Sequence, residues 1–179
     1  MKKSIIASVV ALGLVGGTAH AASNEVQFLG AVTAETCDLQ PEFNDGGMIS
    51  NIVNLGSVKA TGTGNPVDFA LKPVDPTSPG CAAIAVPGKT ATISWASPAF
   101  SAQGLKAMSG TATDAGVLLT AKKSGADGNS DTAINSSVKS AVFPAQQITQ
   151  HGLAFTAQLK AGNDVGDFQS AATFVVAYN

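Results

Sequence analysis

Apolar and polar side chains alternate with a period of two along most of this chain, and that period is compatible with little except β-structure. Val67, Phe69 and Leu71 alternate with smaller or more polar neighbours, as do Ala91, Ile93 and Trp95, and Val117, Leu119 and Ala121. Leu153, Phe155, Ala157 and Leu159 form the strongest run, and Ala172, Phe174, Val176 and Tyr178 carry the pattern to the end of the chain. Successive side chains of a strand point to opposite faces, so each run buries one face and wets the other. Val26, Phe28, Gly30 and Val32 share one face of a still earlier run. A loop is expected around Pro41 to Gly47, one short strand or two over Ile49 to Val58, and a weaker strand over Val138 to Phe143. Gly, Pro, Asn, Asp and Ser cluster between the runs, and Pro73, Pro76, Pro79 and Gly80 end the strand before Cys81. No segment carries a sustained 3.6-residue stripe. Short strands separated by turn signals predict an all-β sandwich in one domain. Trp95 reads as a core aromatic of that sandwich, the rival reading being a tryptophan that stacks on carbohydrate.

The first residues follow a different grammar. Lys2 and Lys3 precede an apolar run from Ile5 to Val15, and Ala19-His20-Ala21 is a small-x-small cleavage signal. This is the layout of a secretory signal peptide over residues 1–21. The run has eleven residues, whereas a spanning helix needs about 20. Cleavage after Ala21 leaves 158 of the 179 residues and removes two of the ten lysines, so eight face twelve acidic residues, a net charge of −4. An exported chain meets oxidising conditions, which makes Cys37 and Cys81, the two cysteines of the chain, a disulfide pair. A catalytic thiol is the rival reading. It finds no CxxC spacing, and His151 is the one histidine of the mature chain.

Charge and composition weaken other functions. The chain has no arginine, and charged residues make up 12% of it. Binding to nucleic acid draws on a basic surface that releases counterions from phosphate. Two cysteines and two histidines spread along the chain do not match a structural zinc site. Asp127 and Asp131 sit in a Gly/Asn/Ser loop without the glycine placement or closing glutamate of an EF-hand. No G-x-S-x-G or phosphate loop appears. The expectation is a protein that is not an enzyme, with no metal and no cofactor.

Both ends of the mature chain are patterned as strands, although chain ends usually fray. An unpaired apolar edge is a template for another chain, and head-to-tail contacts that do not close generate filaments. Against this stands the plainer reading of two edge strands on a self-sufficient sandwich.

Several motifs, taken together, resemble the chaperone–usher pilus (fimbrial) subunits over essentially the whole chain. Val26-Gln27-Phe28-Leu29-Gly30-Ala31-Val32 followed by Cys37 is similar to the V-x-F-x-G-x-V and first cysteine of pilins. Gly166 stands fourteenth from the end, followed by alternating Ala172, Phe174 and Val176 and penultimate Tyr178. Glycine at that position with a penultimate aromatic resembles the family's assembly signature. The runs Val67–Leu71 and Phe155–Leu159 are similar to those of major subunits of enterotoxigenic-type enteric fimbriae. The resemblance implies an incomplete immunoglobulin-like sandwich that lacks its last strand. It implies a donor-strand extension over residues 22–36 and a pilin domain over 37–179. Val26, Phe28, Gly30 and Val32 would then be the donor face. Gly166, Ala172, Phe174, Val176 and Tyr178 would border the acceptor groove and the chaperone-binding strand. Donor-strand complementation of pilins is itself a standard example of recognition by β-strand addition. The implied partners are identical or related pilin subunits, a periplasmic chaperone and an outer-membrane usher, with a host glycan or glycolipid as a further candidate. The implied location is a fimbria on the bacterial surface, reached through the periplasm. One departure stands out: Ala22 to Glu25 are the only mature residues ahead of the patterned strand. A shaft subunit is the expectation, with a minor adaptor or receptor-binding subunit as the alternative.

Overall fold

The computed structural model describes residues 37–43, 48–49 and 51–179. Signal peptide and donor segment lie outside the described residues. What is described is two antiparallel sheets on one core. The strands are β1 (Leu39–Phe43), β2 (Met48–Ile49), β3 (Val67–Pro73), β4 (Thr90–Ala96), β5 (Phe100–Ser101), β6 (Gly104–Lys106), β7 (Gly116–Ser124), β8 (Ser130–Ile134), β9 (Ser140–Pro144), β10 (Leu153–Lys160) and β11 (Thr173–Tyr178). The larger sheet runs β2-β1-β3-β10-β7-β6-β5, with β8 also paired to β7; the smaller runs β11-β4-β9.

Register turns the alternation into a core. In the larger sheet Phe43 stands opposite Phe69, Phe69 opposite Phe155, and Phe155 opposite Ala121. This row faces Trp95, Phe143 and Phe174 of the smaller sheet. Phe155 is fully buried at the centre. Its ring lies 5.5 Å from Phe69, 5.4 Å from Trp95 in an edge-on arrangement, and 5.4 Å from Phe143. Such pairs add about 0.5–1.5 kcal/mol beyond the area they bury.

The structure corrects the sequence reading in several places. Pro41 lies inside β1 rather than in a loop. It pairs with Leu71 of β3, while β2 reaches only Glu42 and Phe43, so the missing N–H falls where no partner needs it. Of the one short strand or two expected over Ile49 to Val58, Ile49 falls in β2, and residues 51–58 join no ladder among the described residues. A helix, α1 (Pro79–Ile84), follows β3. Ser78 caps it by accepting from Cys81 N at 3.3 Å, and Pro79 sits at its first turn. A second helix, α2 (Gln147–Gln150), is shorter still. Neither is long enough to print a 3.6-residue period. Strands β5, β6 and β8 also went unread, since two to five residues carry no alternation.

In β7 the alternation would turn Lys123 inward after Val117, Leu119 and Ala121. A bulge between Ala121 and Ser124 resolves this: Lys123 takes φ of 52° and faces solvent, and Ser124 is buried in its place. The Ser124 hydroxyl is satisfied by Ser130 O at 3.1 Å and Thr132 Oγ1 at 2.8 Å.

Cys37 and Cys81 form a disulfide that ties the start of β1 to α1 across a separation of 44 residues. Closing a loop of that length stabilises the fold by about 4 kcal/mol on a chain-entropy estimate. Cys37→Ser, or reduction of the bridge, should lower the thermal midpoint and raise protease sensitivity; an unchanged midpoint with and without reductant would count against the bridge as a staple. Phe155→Ala should cost about 3–5 kcal/mol through the cavity it leaves, read as a reduced denaturant midpoint.

Candidate functional site

The core is not sealed on all sides. Leu71, Ile93, Phe143, Leu153 and Phe155 have no exposed surface, whereas Phe69, Val117, Trp95 and Leu159 keep 7–8%. These four, with Leu105, line one groove of about 1120 Å³. Leu119 and Ala157 complete its floor. Its two walls are residues 51–58 and residues 164–174.

Among the described residues the first wall joins no ladder, and the second is bridged at Gln169–Ser109 before it enters β11. In the first, Val53, Leu55 and Val58 are half-buried between exposed neighbours. The side-chain pattern of a strand is present, without the partner that would make a ladder. The second wall continues into β11. That strand pairs with β4 from Thr173↔Ala96 to Tyr178↔Ala91, and Asn179 exchanges both backbone bonds with Thr90 at 2.9 Å. Its other edge has no ladder partner among the described residues.

Within β11, Phe174, Val176 and Tyr178 turn inward and pack on the core, while Thr173, Val175 and Ala177 are exposed. Ala172 lies just ahead of the strand, half-buried, on the inward side. Phe174 sits 5.3 Å from Trp95 and lines the groove together with Ala172 and Gly166. Val176 and Tyr178 lie further along, opposite Ile93 and Ala91. Val26, Phe28, Gly30 and Val32 fall outside the described residues.

Gly166 is not part of β11. It adopts φ of 132°, and a Cβ there would run into the Thr111 side chain. The close approach lets the second wall fold back on residues 108–112. Thr111 Oγ1 donates to Val165 O at 3.2 Å, Ala112 N to Asp167 O at 3.1 Å, and Met108 N to Gln169 O at 2.8 Å. Only glycine takes this conformation cheaply with so little room. Phe168, in the same wall, was missed by the sequence reading because it belongs to no alternating run. It packs against the main core and against a smaller cluster of Ala112, Ala115 and Leu159. An isolated aromatic in an otherwise polar stretch was the available signal.

Tyr178 closes the far end. Its hydroxyl donates to Cys37 O at 2.5 Å, so the last strand is fastened to the first described residue, beside the disulfide. Burial, with the nearby Asp38 carboxylate, pushes the Tyr178 phenol up to about 12.

The other polar clusters have local explanations. Asp127 accepts from Asn129 N at 3.1 Å, and that bond holds its carboxyl below the ordinary range. Asp131 pairs with Lys122 and accepts from Lys123 N; the Lys122 hydrogen bond is the main cause of its lowered pKa. His151 caps α2 with a backbone bond to Gln147 O at 3.1 Å. Among the described residues no three His, Cys, Asp or Glu side chains are grouped to hold a metal.

Two proteins of Escherichia coli are similar to this chain along nearly all of their length. The F107 fimbrial protein is 38% identical over 178 residues, covering 99% of each chain. The K99 fimbrial protein is 30% identical over 190 residues, again covering 99% of each. No family model matches the chain. Among solved structures, the P pilus rod subunit PapA covers 87% of this chain with all of its own, at 14% identity and a TM-score of 0.47.

The chain has one tyrosine, so its phenolate absorbance titrates Tyr178 alone. A phenol raised from 10.0 to about 12 in the folded state favours the protonated form of that state. Its contribution is complete below pH 10 and is lost as pH rises through 12. The folded chain should therefore titrate near pH 12 and the denatured chain near 10. Tyr178→Phe should cost about 0.5–1.5 kcal/mol at neutral pH. Coincident titration of folded and denatured chain would contradict the buried hydrogen bond.

Proposed function

The chain belongs to the family of fimbrial proteins, as a structural subunit of a surface fimbria, and on that premise we propose that it polymerises head to tail by donor-strand exchange. In this reading the groove between residues 51–58 and 164–174 is the place of a missing strand. Residues 22–36 of a second copy fill it, the domain over residues 37–179 accepts it, and residues 1–21 are removed on export. The observation that carries the reading is the coincidence of a last-strand edge without a ladder partner among the described residues and a groove floored by core residues. A sandwich with all its strands would cover that floor.

The inserted strand has the complementary pattern. Val26, Phe28 and Val32 enter from one face, and each buried Val or Phe contributes roughly 1.5–3 kcal/mol. Gly30 removes a side chain where the backbone must come close. Main-chain bonds to the free edge supply the rest. Before assembly a periplasmic chaperone occupies the same groove and holds the terminal carboxylate of Asn179; at an outer-membrane usher the next subunit displaces it. The short lead of Ala22 to Glu25 limits how much free strand can start that exchange.

Deleting Ser23–Val32 should leave a subunit that accepts a strand but cannot donate one, so it should cap fibres and never extend them. Gly30→Asn should stall exchange and shorten the ladder of polymers on unboiled denaturing gels. Fibres of normal length from either variant would refute the donor assignment.

A further inference from the structure

The extended course of the last strand does not begin where β4 begins to pair with it. From Asp167 to Asn179 exposure alternates without a break: Phe168, Ser170, Ala172, Phe174, Val176 and Tyr178 are half-buried, and the odd-numbered residues between them are exposed. The polar Ser170 hides this continuity in the sequence. Main-chain bonding keeps the same parity. Asn179 and Thr90 exchange both backbone bonds, so along β11 the odd residues bond to β4 and the even ones face away from it. Ahead of Thr173, β4 has ended at Ala96, and residues 108–112 take its place. Gln169 exchanges both bonds with Ser109, at 3.1 and 3.3 Å, in an isolated antiparallel bridge, and Asp167 O accepts from Ala112 N at 3.1 Å. Ala171 O accepts from Ser97 Oγ at 2.6 Å. All three are odd residues. The main-chain groups of Phe168, Ser170 and Ala172 have no partner among the described residues and point the way those of Phe174, Val176 and Tyr178 do.

Residues 108–112 belong to no strand, so the support they give depends on what fixes the two segments to each other. Asp114 does this. Its carboxylate accepts from Asn163 N at 2.6 Å and from Asp164 N at 3.1 Å, and Thr113 Oγ1 donates back to Asp164 Oδ2 at 2.6 Å. Gly162 makes room for it: a Cβ there would lie 2.1–2.3 Å from the carboxyl atoms. Hydrogen bonds to a carboxylate are roughly twice as strong as neutral ones. Asp114 is itself exposed and belongs to neither apolar cluster, so its bonds orient the segment and do not hold up the core. We propose that Asp114 is a positioning residue for strand acceptance: its clasp on residues 163–164 holds residues 167–172 in line with β11, so that the free edge begins at Phe168 and not at Thr173. This rests on the strand-acceptor reading above and extends its docking edge from three outward-bonding residues to six. Each of these offers one N–H and one C=O to an incoming strand.

The test uses the mature chain with Phe28→Asp in its own extension, which makes it an acceptor only, and a synthetic peptide of Ala22–Thr36. Amide hydrogen exchange is followed residue by residue. In the acceptor with Asp114 intact, the peptide should slow exchange at Phe168, Ser170 and Ala172 as well as at Phe174, Val176 and Tyr178, by about tenfold or more. With Asp114→Ala, protection should persist at the last three and vanish at the first three, and the peptide should dissociate about tenfold faster, as the loss of one or two net main-chain bonds requires. Asp114→Asn keeps one acceptor oxygen and should fall between the two. Protection confined to Phe174, Val176 and Tyr178 with Asp114 intact would overturn the longer edge and leave the strand-acceptor reading standing. So would protection and dissociation that Asp114→Ala leaves unchanged, or protection that it weakens equally at all six, since that marks a general structural role. No amide slowed in the acceptor with Asp114 intact would overturn both.

Discussion

Phe155 touches aromatic rings from both sheets, stacking on Phe69 in its own and meeting Trp95 and Phe143 of the other. The larger sheet delivers it through a cross-strand row in which Phe43, Phe69, Phe155 and Ala121 stand in register. The smaller sheet, of three strands, meets the larger one at this contact. Trp95 carries the link outward to Phe174 on the last strand. From the centre of the core to the free edge of β11, the path is a chain of rings.

The same path ends at the unsealed side. Phe155 is fully enclosed, whereas Trp95, Val117 and Leu159 keep 7–8% of their surface and line the groove. Apolar surface left to water weakens a fold at about 25 cal/mol per Å², so whatever covers this groove stabilises the domain as it binds. The uncovered surface belongs to the core itself, not to a separate patch. Gly166 and Tyr178 serve opposite ends of this arrangement. Gly166 lets one groove wall fold back on Thr111, and Tyr178 fastens the last strand to Cys37.

Much of the fold was readable because period-two alternation records burial directly. Val67–Leu71, Ala91–Trp95, Val117–Ala121, Leu153–Leu159 and Phe174–Tyr178 all fall in strands with the expected faces inward. The failures share one cause, which is dependence on partners distant in the chain. Pro41 is tolerated in β1 because β2 stops short of it. Residues 51–58 carry a strand's pattern and no ladder. Lys123 breaks the face of β7, and a bulge moves it out. Of the candidate site, the inward face of Phe174 was legible in the spacing, and its place beside a groove only through the family resemblance. Phe168 and Ser170 were not legible, because they lie in an irregular wall that no apolar period describes.

The sequence by itself determined the strand faces and the pairing of Cys37 with Cys81, since each is written in local spacing or in a count of two. The tertiary structure alone decided that the core stays open beside β11. An absence of contact is a property of how distant segments come together. No local pattern encodes it, because the side chains that floor the groove have the same alternation as those buried completely.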